Sequence, residues 1–378
     1  MNEKSALDFR TGLYVIELLR AALEGRKPQE KPQALSMERI YRMAKKHSVE
    51  CMAYAAVRQI AVPEDAEILK KWKERSRLCG IQGAVQKAEG ERLFSALPAQ
   101  GIRILPLKGC VMKGLYPKPE YRQMCDVDIL IDQRNLEKAG EIMKELGYVR
   151  DHSCGGVDSY EKKPWMSVEL HESVLPSRNQ NAKRYRDIWS RTQEKDGVHR
   201  MDWNDYYLYM IDHFAKHYFV SGSGIRSVLD IFVFLRRKGG ELDEAYLREE
   251  FRKRGLETFR KEMEELAGDW FGRGVTGKKK DIEEIVIGSG VYGTESQRVR
   301  NLKEAIEKQC RISWLVKPIY LWKRTFLGYS VMCDLYPALR KCPVLLPVLW
   351  IHRPVRALIV KRETVKREFA SIKGKKNE

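Results

Sequence analysis

The sequence predicts an α+β fold: a small mixed β-sheet domain flanked by a helical N-terminal region and a helical C-terminal domain. Three observations predict it. Apolar residues recur at helical spacing through the first hundred positions, give way to short alternating, β-branched runs between Ile102 and His171, and return to the helical period from about Ala182.

In the first region, Leu7, Leu13, Val15, Ile16, Leu18 and Leu19 share a helical period, as do Ile40, Met43 and Ala44 and the run Met52, Ala53, Ala55, Ala56. A long helical pattern runs from Asp65 to about Leu97 with one interruption at Gly80, and Pro28, Pro32, Pro63, Pro98 and Gly101 punctuate the segments. Ile102, Ile104 and Leu105 then read as a short strand. Pro106-Leu107-Lys108-Gly109 leads into a short helix ending near Tyr116, and a turn bearing Pro117 and Pro119 precedes a strand over 125–131. Leu136, Ala139, Ile142, Met143 and Leu146 form an amphipathic helix closed by Gly147. Strands at 148–149, 157–161 and 165–171 complete a β-α-β-α-β-β-β block. Helices follow over 202–219 and 225–237, with three or four more to about Thr325. Beyond Pro337 the chain is proline-spaced and then basic, with nine Lys or Arg and two acids between Arg353 and Lys376. The expected domains are therefore 1–100, 101–180, 181–335 and 336–378.

Composition narrows the function classes. With 378 residues, 43% hydrophobic and 32% charged, the chain has material for two or three packed domains of ~150 residues each. The longest apolar stretch, Val344 to Ile351, contains Pro347 and falls short of the ~20 residues of a membrane span. The opening Met1-Asn2-Glu3-Lys4 has no leader pattern. Eight cysteines without a C-x-x-C pair read as reduced thiols, not as a disulfide framework or zinc site. No membrane span and a cytoplasmic location are expected. The 70 Lys and Arg against 52 Asp and Glu leave a net +18, which favours anionic partners such as nucleotides or nucleic acid.

The segment with chemistry is Leu107-Lys108-Gly109 followed by Asp126-Val127-Asp128. Residues i and i+2 of a strand face the same way, about 6.6–6.8 Å apart, so Asp126 and Asp128 would present paired carboxylates while Val127, Ile129 and Ile131 face the core. Two such carboxylates repel unless a cation lies between them, and Mg²⁺ favours one or two carboxylates plus substrate phosphates. Glu169 and His171, on one face of Val168-Glu169-Leu170-His171, add a third acid and an imidazole. Lys108, Arg122 and the amides of the short helix opened by Gly109 would favour phosphate.

These residues together resemble the nucleotidyltransferase superfamily that includes DNA polymerase β, most closely its uncharacterised bacterial branch. The matching elements are Leu107-Lys108-Gly109, Leu115-Tyr116-Pro117, Arg122, Asp126-Val127-Asp128-Ile129-Leu130, Val168-Glu169-Leu170-His171, and then His213, His217, Gly224-Ile225-Arg226 and Asp230. Lys108-Gly109 replaces the superfamily's usual Gly-Ser, which leaves phosphate contacts to backbone amides and Lys108. The resemblance implies a nucleotidyltransferase-like sheet domain and transfer of a nucleoside monophosphate from an NTP, ATP among them, to a hydroxyl acceptor: small molecule, sugar, protein or RNA. It implies two Mg²⁺ ions held by Asp126, Asp128 and Glu169, with these three acids catalytic. It implies nucleotide binding by Lys108, Gly109, Arg122, His171, His213, His217 and Arg226. The alternative is a non-catalytic basic protein that binds nucleic acid or a partner on the same fold.

Other motifs have plainer readings beside the functional ones. His213 and His217 lie one turn apart on a helix, where two histidines more often line a polar pocket than ligate zinc. Arg226 and Asp230, at the same spacing, fit an intrahelical ion pair or a polar wall of the site. Gly288 to Gly293 matches G-x-G-x-x-G but lacks a preceding strand, so it reads as a loop between helices. Trp314, Trp322, Trp350, Tyr320 and Phe326, interleaved with basic residues, read as core positions with cations snorkelling beside them.

Overall fold

The computed structural model describes residues 3–60, 63–273, 279–310, 312–360, 362 and 366, so most of the basic tail lies outside the described residues. The fold is α+β. The chain divides into two units: residues 1–215 with 224–291, and residues 216–223 with 292–378.

The first unit is built on a seven-stranded mixed sheet: β1 (Ile104–Pro106), β2 (Val127–Ile131), β3 (Val149–Cys154), β4 (Val157–Lys162), β5 (Met166–His171), β6 (Thr192–Lys195) and β7 (Val198–Met201), in spatial order β3-β4-β5-β2-β1-β7-β6. β2 runs parallel to β5, and β1 runs parallel to β7; the remaining neighbours are antiparallel. Around the sheet are helices α1 (Glu3–Glu24), α2 (Met37–Lys46), α3 (Glu50–Val57), α4 (Ala66–Ala99), α5 (Gly109–Met112), α6 (Leu136–Glu145), α7 (Trp203–Ser221), α8 (Ile225–Lys238), α9 (Glu244–Arg254), α10 (Glu257–Gly268) and α11 (Lys280–Ser289). α7 continues into the second unit.

Alternation along the strands decides which residues become core. Val127, Ile129 and Ile131 of β2 and Val168 and Leu170 of β5 join Leu93 and Leu97 of α4 and Ala139, Ile142 and Met143 of α6 in one buried cluster. With period 2, Asp128, Glu169 and His171 must emerge on the other face. The core therefore orients the acids.

β6 and β7 correct the expectation of helix from Ala182 onward. Their strands are only four residues long, and the first, Thr-Gln-Glu-Lys, carries no apolar alternation. They are joined by Asp196 (φ 55°) and Gly197 (φ 74°), the left-handed pair of a type I′ hairpin. A Cβ at Gly197 would stand 2.4 Å from Pro98 Cβ, so glycine is needed there for close approach as well as conformation.

The second unit contains α12 (Glu295–Gln309), α13 (Val316–Thr325), α14 (Tyr329–Leu335) and α15 (Leu346–Val360). Two small clusters centre on Val299, Ile306, Val316 and Tyr320, and on Met332, Cys333 and Leu339. Tyr320 is core as expected, but Trp314, Trp322 and Phe326 are exposed, the first two at 73% and 64%, which corrects the core reading for those three. The apolar-stretch expectation is also corrected: Pro343–Val360 is long and apolar enough to cross a membrane by length and composition, with mean hydropathy 1.4 and no buried residue. Pro347 does not stop this helix because it falls in the first turn, where the missing N–H has no intrahelical acceptor.

Candidate active site

β2 and β5 pair in register, with Asp128 opposite Glu169 and Leu130 opposite His171. Asp128 is fully buried, and its Oδ1 accepts from the Lys108 ammonium at 2.5 Å and from His171 Nε2 at 2.8 Å. His171 Nε2 also lies 3.2 Å from Glu169 Oε2, and Lys108 Nζ lies 3.9 Å from the same oxygen. Among the described residues, Asp128, Glu169 and His171 are the group of three whose ligand atoms all lie within 4.8 Å of one another. Asp126, one residue ahead of β2 and half-buried, is not part of that group.

Lys108 reaches this place through an unusual backbone. It sits at φ 45°, ψ −118°, a left-handed conformation for a side-chain-bearing residue, directly before α5. Its carbonyl accepts from Tyr206 Oη of α7 at 2.7 Å, and Leu107 N–H donates to the Asp128 carbonyl at 3.0 Å. The β1–α5 turn is thus tied to both α7 and β2.

Electrostatics follow from burial and from these contacts. Burial penalises the Asp128 carboxylate, but Lys108 and the His171 hydrogen bond overcome that penalty and hold its pKa well below the usual carboxylate range. Burial and then the Asp128 charge raise the pKa of Asp126. Burial works against the charged forms of Lys108 and His171, yet Asp128 beside both leaves each pKa above its ordinary value. Cys110, behind the site, is pushed up to about 12 by burial and by Asp128.

A family model described as an uncharacterised nucleotidyltransferase matches residues 33–272, spanning the sheet and its flanking helices. The chain belongs to this family. No curated protein and no solved structure matches it. Membership in the nucleotidyltransferase family implies nucleotidyl transfer from a nucleoside triphosphate donor.

The remaining positions expected in the nucleotidyltransferase site fall as follows. Gly109 is buried, and a Cβ there would meet Met124 Sδ at 2.8 Å and an Arg122 nitrogen at 3.1 Å. Arg122 is buried in a bidentate pair with Asp230, through Nε–Oδ1 at 3.1 Å and NH2–Oδ2 at 2.8 Å, and its third nitrogen donates to the Gln123 carbonyl. Tyr116 Oη donates to Asp230 at 2.7 Å. Arg226 donates to the same Gln123 carbonyl at 3.0 Å. His213 lies on α7 with its ring 6.0 Å from that of Tyr209, and His217 belongs to the second unit. Gly288–Ser289 closes α11, so the glycine-rich stretch follows a helix and not a strand. One contributor escaped the sequence reading: Tyr206, which holds the Lys108 carbonyl and which no motif marks. Tyr116 stood in the matching Leu115-Tyr116-Pro117, but nothing in that motif assigned its hydroxyl to Asp230.

Proposed function

We propose that the protein transfers a nucleoside monophosphate from an NTP to an acceptor hydroxyl, in a reaction that depends on a divalent cation such as Mg²⁺. The observation that carries this reading is the in-register pair Asp128 and Glu169 with the Lys108 ammonium between them. The ammonium between two carboxylates supports a cation site there, and hard oxygen donors suit Mg²⁺. Asp128 and Glu169, joined by Asp126, would hold it, and its charge would stabilise the α-phosphate and ease ionisation of the acceptor hydroxyl. Lys108, whose carbonyl is fixed by Tyr206, supplies a cation for the triphosphate. Glu169 is 28% exposed in its side chain against 2% for Asp128, so it is the carboxylate with access to an incoming acceptor. In the reaction the acceptor oxygen bonds to the α-phosphorus, the bond to pyrophosphate breaks, pyrophosphate leaves, and the hydroxyl proton passes to Glu169.

The test is incubation of the pure protein with each labelled NTP, Mg²⁺ and a cell extract, reading label transferred to any species. Asp128→Ala and Asp126→Ala are expected to lower transfer by about a hundredfold to a thousandfold while circular dichroism stays native. Unchanged turnover in Asp128→Ala would refute the assignment.

A further inference from the structure

A cavity in the first unit has a chemistry of its own. It measures ≈ 180 Å³ and lies between α4 and the segment leading from α5 into β2. From α4 come Arg75, Cys79, Gln82, Gly83 and Gln86, positions that the helical period places on one face. Opposite them are Lys113 and the run from Arg122 to Cys125, with Arg226 of α8 completing the wall.

Four cations border this space, with Glu120 as the one acid lining it. Two of the four are spent: Arg122 on Asp230 and the Gln123 carbonyl, and Arg226 in part on that same carbonyl. The other two are not. Arg75 uses Nε on the buried carboxylate of Glu50 at 3.1 Å, and its two terminal nitrogens have no partner among the described residues. The Lys113 ammonium makes no hydrogen bond or ion pair among the described residues, although the residue is half-buried. Burial and then the Arg122 charge hold its pKa below the ordinary lysine value. The Gln82 amide is also without a partner among the described residues. Gly83 makes room for this arrangement, since a Cβ there would stand 3.1 Å from Lys113 Nζ. Held cations with open donors, amide side chains and a polar wall describe a site for an anion. The size decides how much of a ligand enters: it is below the ~300–1,000 Å³ that encloses a whole drug-sized molecule, so it admits a phosphate group and not a complete nucleotide.

We propose that this pocket, whose lining residue Cys125 directly precedes Asp126, is a phosphate subsite that takes the phosphate group of a phosphomonoester on Lys113, Arg75 and Gln82. As the anchor of a phosphorylated acceptor it rests on the transferase reading above; as an anion site it does not. The experiment measures binding to the full chain in EDTA by calorimetry, with glycerol 1-phosphate, glycerol and inorganic tripolyphosphate as probes. Glycerol 1-phosphate is expected to bind and glycerol not. Lys113→Met and Arg75→Gln should each weaken binding by at least about tenfold, the loss of one charge-assisted hydrogen bond, whereas Lys113→Arg retains it. Asp128→Asn should bind like wild type. A wild-type protein that ignores glycerol 1-phosphate, or a Lys113→Met protein that binds it equally well, overturns the subsite. Binding of tripolyphosphate alone, lost in Lys113→Met, also overturns it and gives the pocket to the donor's phosphate tail. Phosphomonoester binding without any nucleotidyl transfer leaves the subsite standing and removes the transferase; transfer without such binding does the reverse.

Discussion

Asp230 and Asp128 are both buried aspartates of the first unit, and they are held in opposite ways. Asp230 meets Arg122 on both oxygens and Tyr116 on one, so its charge is matched by a planar fork that engages both oxygens. Asp128 receives Lys108 and His171 on a single oxygen; its Oδ2 has no hydrogen-bond partner among the described residues, and Glu169 lies beside it. Saturated pairing makes a joint between the loop before β2 and α8. Partial pairing, with flexible or titratable cations, leaves a place where charge can be exchanged. The difference predicts unequal phenotypes for the same chemical change. Asp230→Asn should cost about 3–5 kcal/mol in denaturant unfolding because it strands the buried Arg122. Asp128→Asn should cost less, about 1–2 kcal/mol, since Glu169 remains beside Lys108 and His171 when the Asp128 charge is lost. Equal losses in the two variants would erase the distinction.

The next largest effect concerns a buried group kept neutral. His47, fully buried after α2, accepts from Ile225 N–H on Nδ1 at 3.0 Å and donates from Nε2 to the Ile287 carbonyl at 3.1 Å, so both ring nitrogens are committed to one tautomer. Burial, then Lys46 beside it, lowers its pKa from 6.5 to about 3. A folded pKa below the unfolded one means the unfolded chain takes up the proton first. Stability is therefore complete above about pH 6.5 and falls as pH drops toward the folded value. Going from about pH 7.5 to about pH 5 should cost about 2 kcal/mol through this residue. His47→Gln, which keeps one donor and one acceptor, should flatten that part of the profile. An unchanged slope in the variant would place the acid sensitivity elsewhere.

Asp128, Glu169 and His171 were legible in the sequence because strand alternation is strictly two, so apolar Val127, Ile129, Val168 and Leu170 announce which face their neighbours take. Arg122 was legible as a cation near the motif but not as the partner of Asp230, because a contact across 108 residues leaves no local periodicity. The spacing of Arg226 and Asp230 fitted a pair within α8 or a polar wall of the site, whereas Asp230 is joined to Arg122 in the loop before β2. The β6–β7 hairpin had one usable signal, Asp196-Gly197, whose flanking strands are too short and too polar to show alternation. The exposed Trp314 and Trp322 were misread because helical spacing fixes which residues share a face, and not what that face meets.

The smallest effect tests whether Lys108 is the exchangeable counterpart of Arg122. Its ammonium stands 2.5 Å from Asp128 and 3.9 Å from Glu169, in the gap a divalent ion would need. An incoming cation must first displace it, at the expense of about one charge-assisted hydrogen bond. Lys108→Met removes the charge and keeps a side chain at the left-handed backbone position, so Mn²⁺ affinity measured calorimetrically without nucleotide should tighten by about tenfold. Nucleotide affinity should fall in the same protein, because the ammonium freed from Asp128 is the one offered to the triphosphate. Arg122→Met offers the contrast: it should gain no metal affinity and lose stability, since among the described residues Asp230 belongs to no group of ligand side chains that could hold a metal. If Lys108→Met left Mn²⁺ affinity unchanged, Lys108 would be as fixed a partner as Arg122, and the difference between the two aspartates would be one of burial alone.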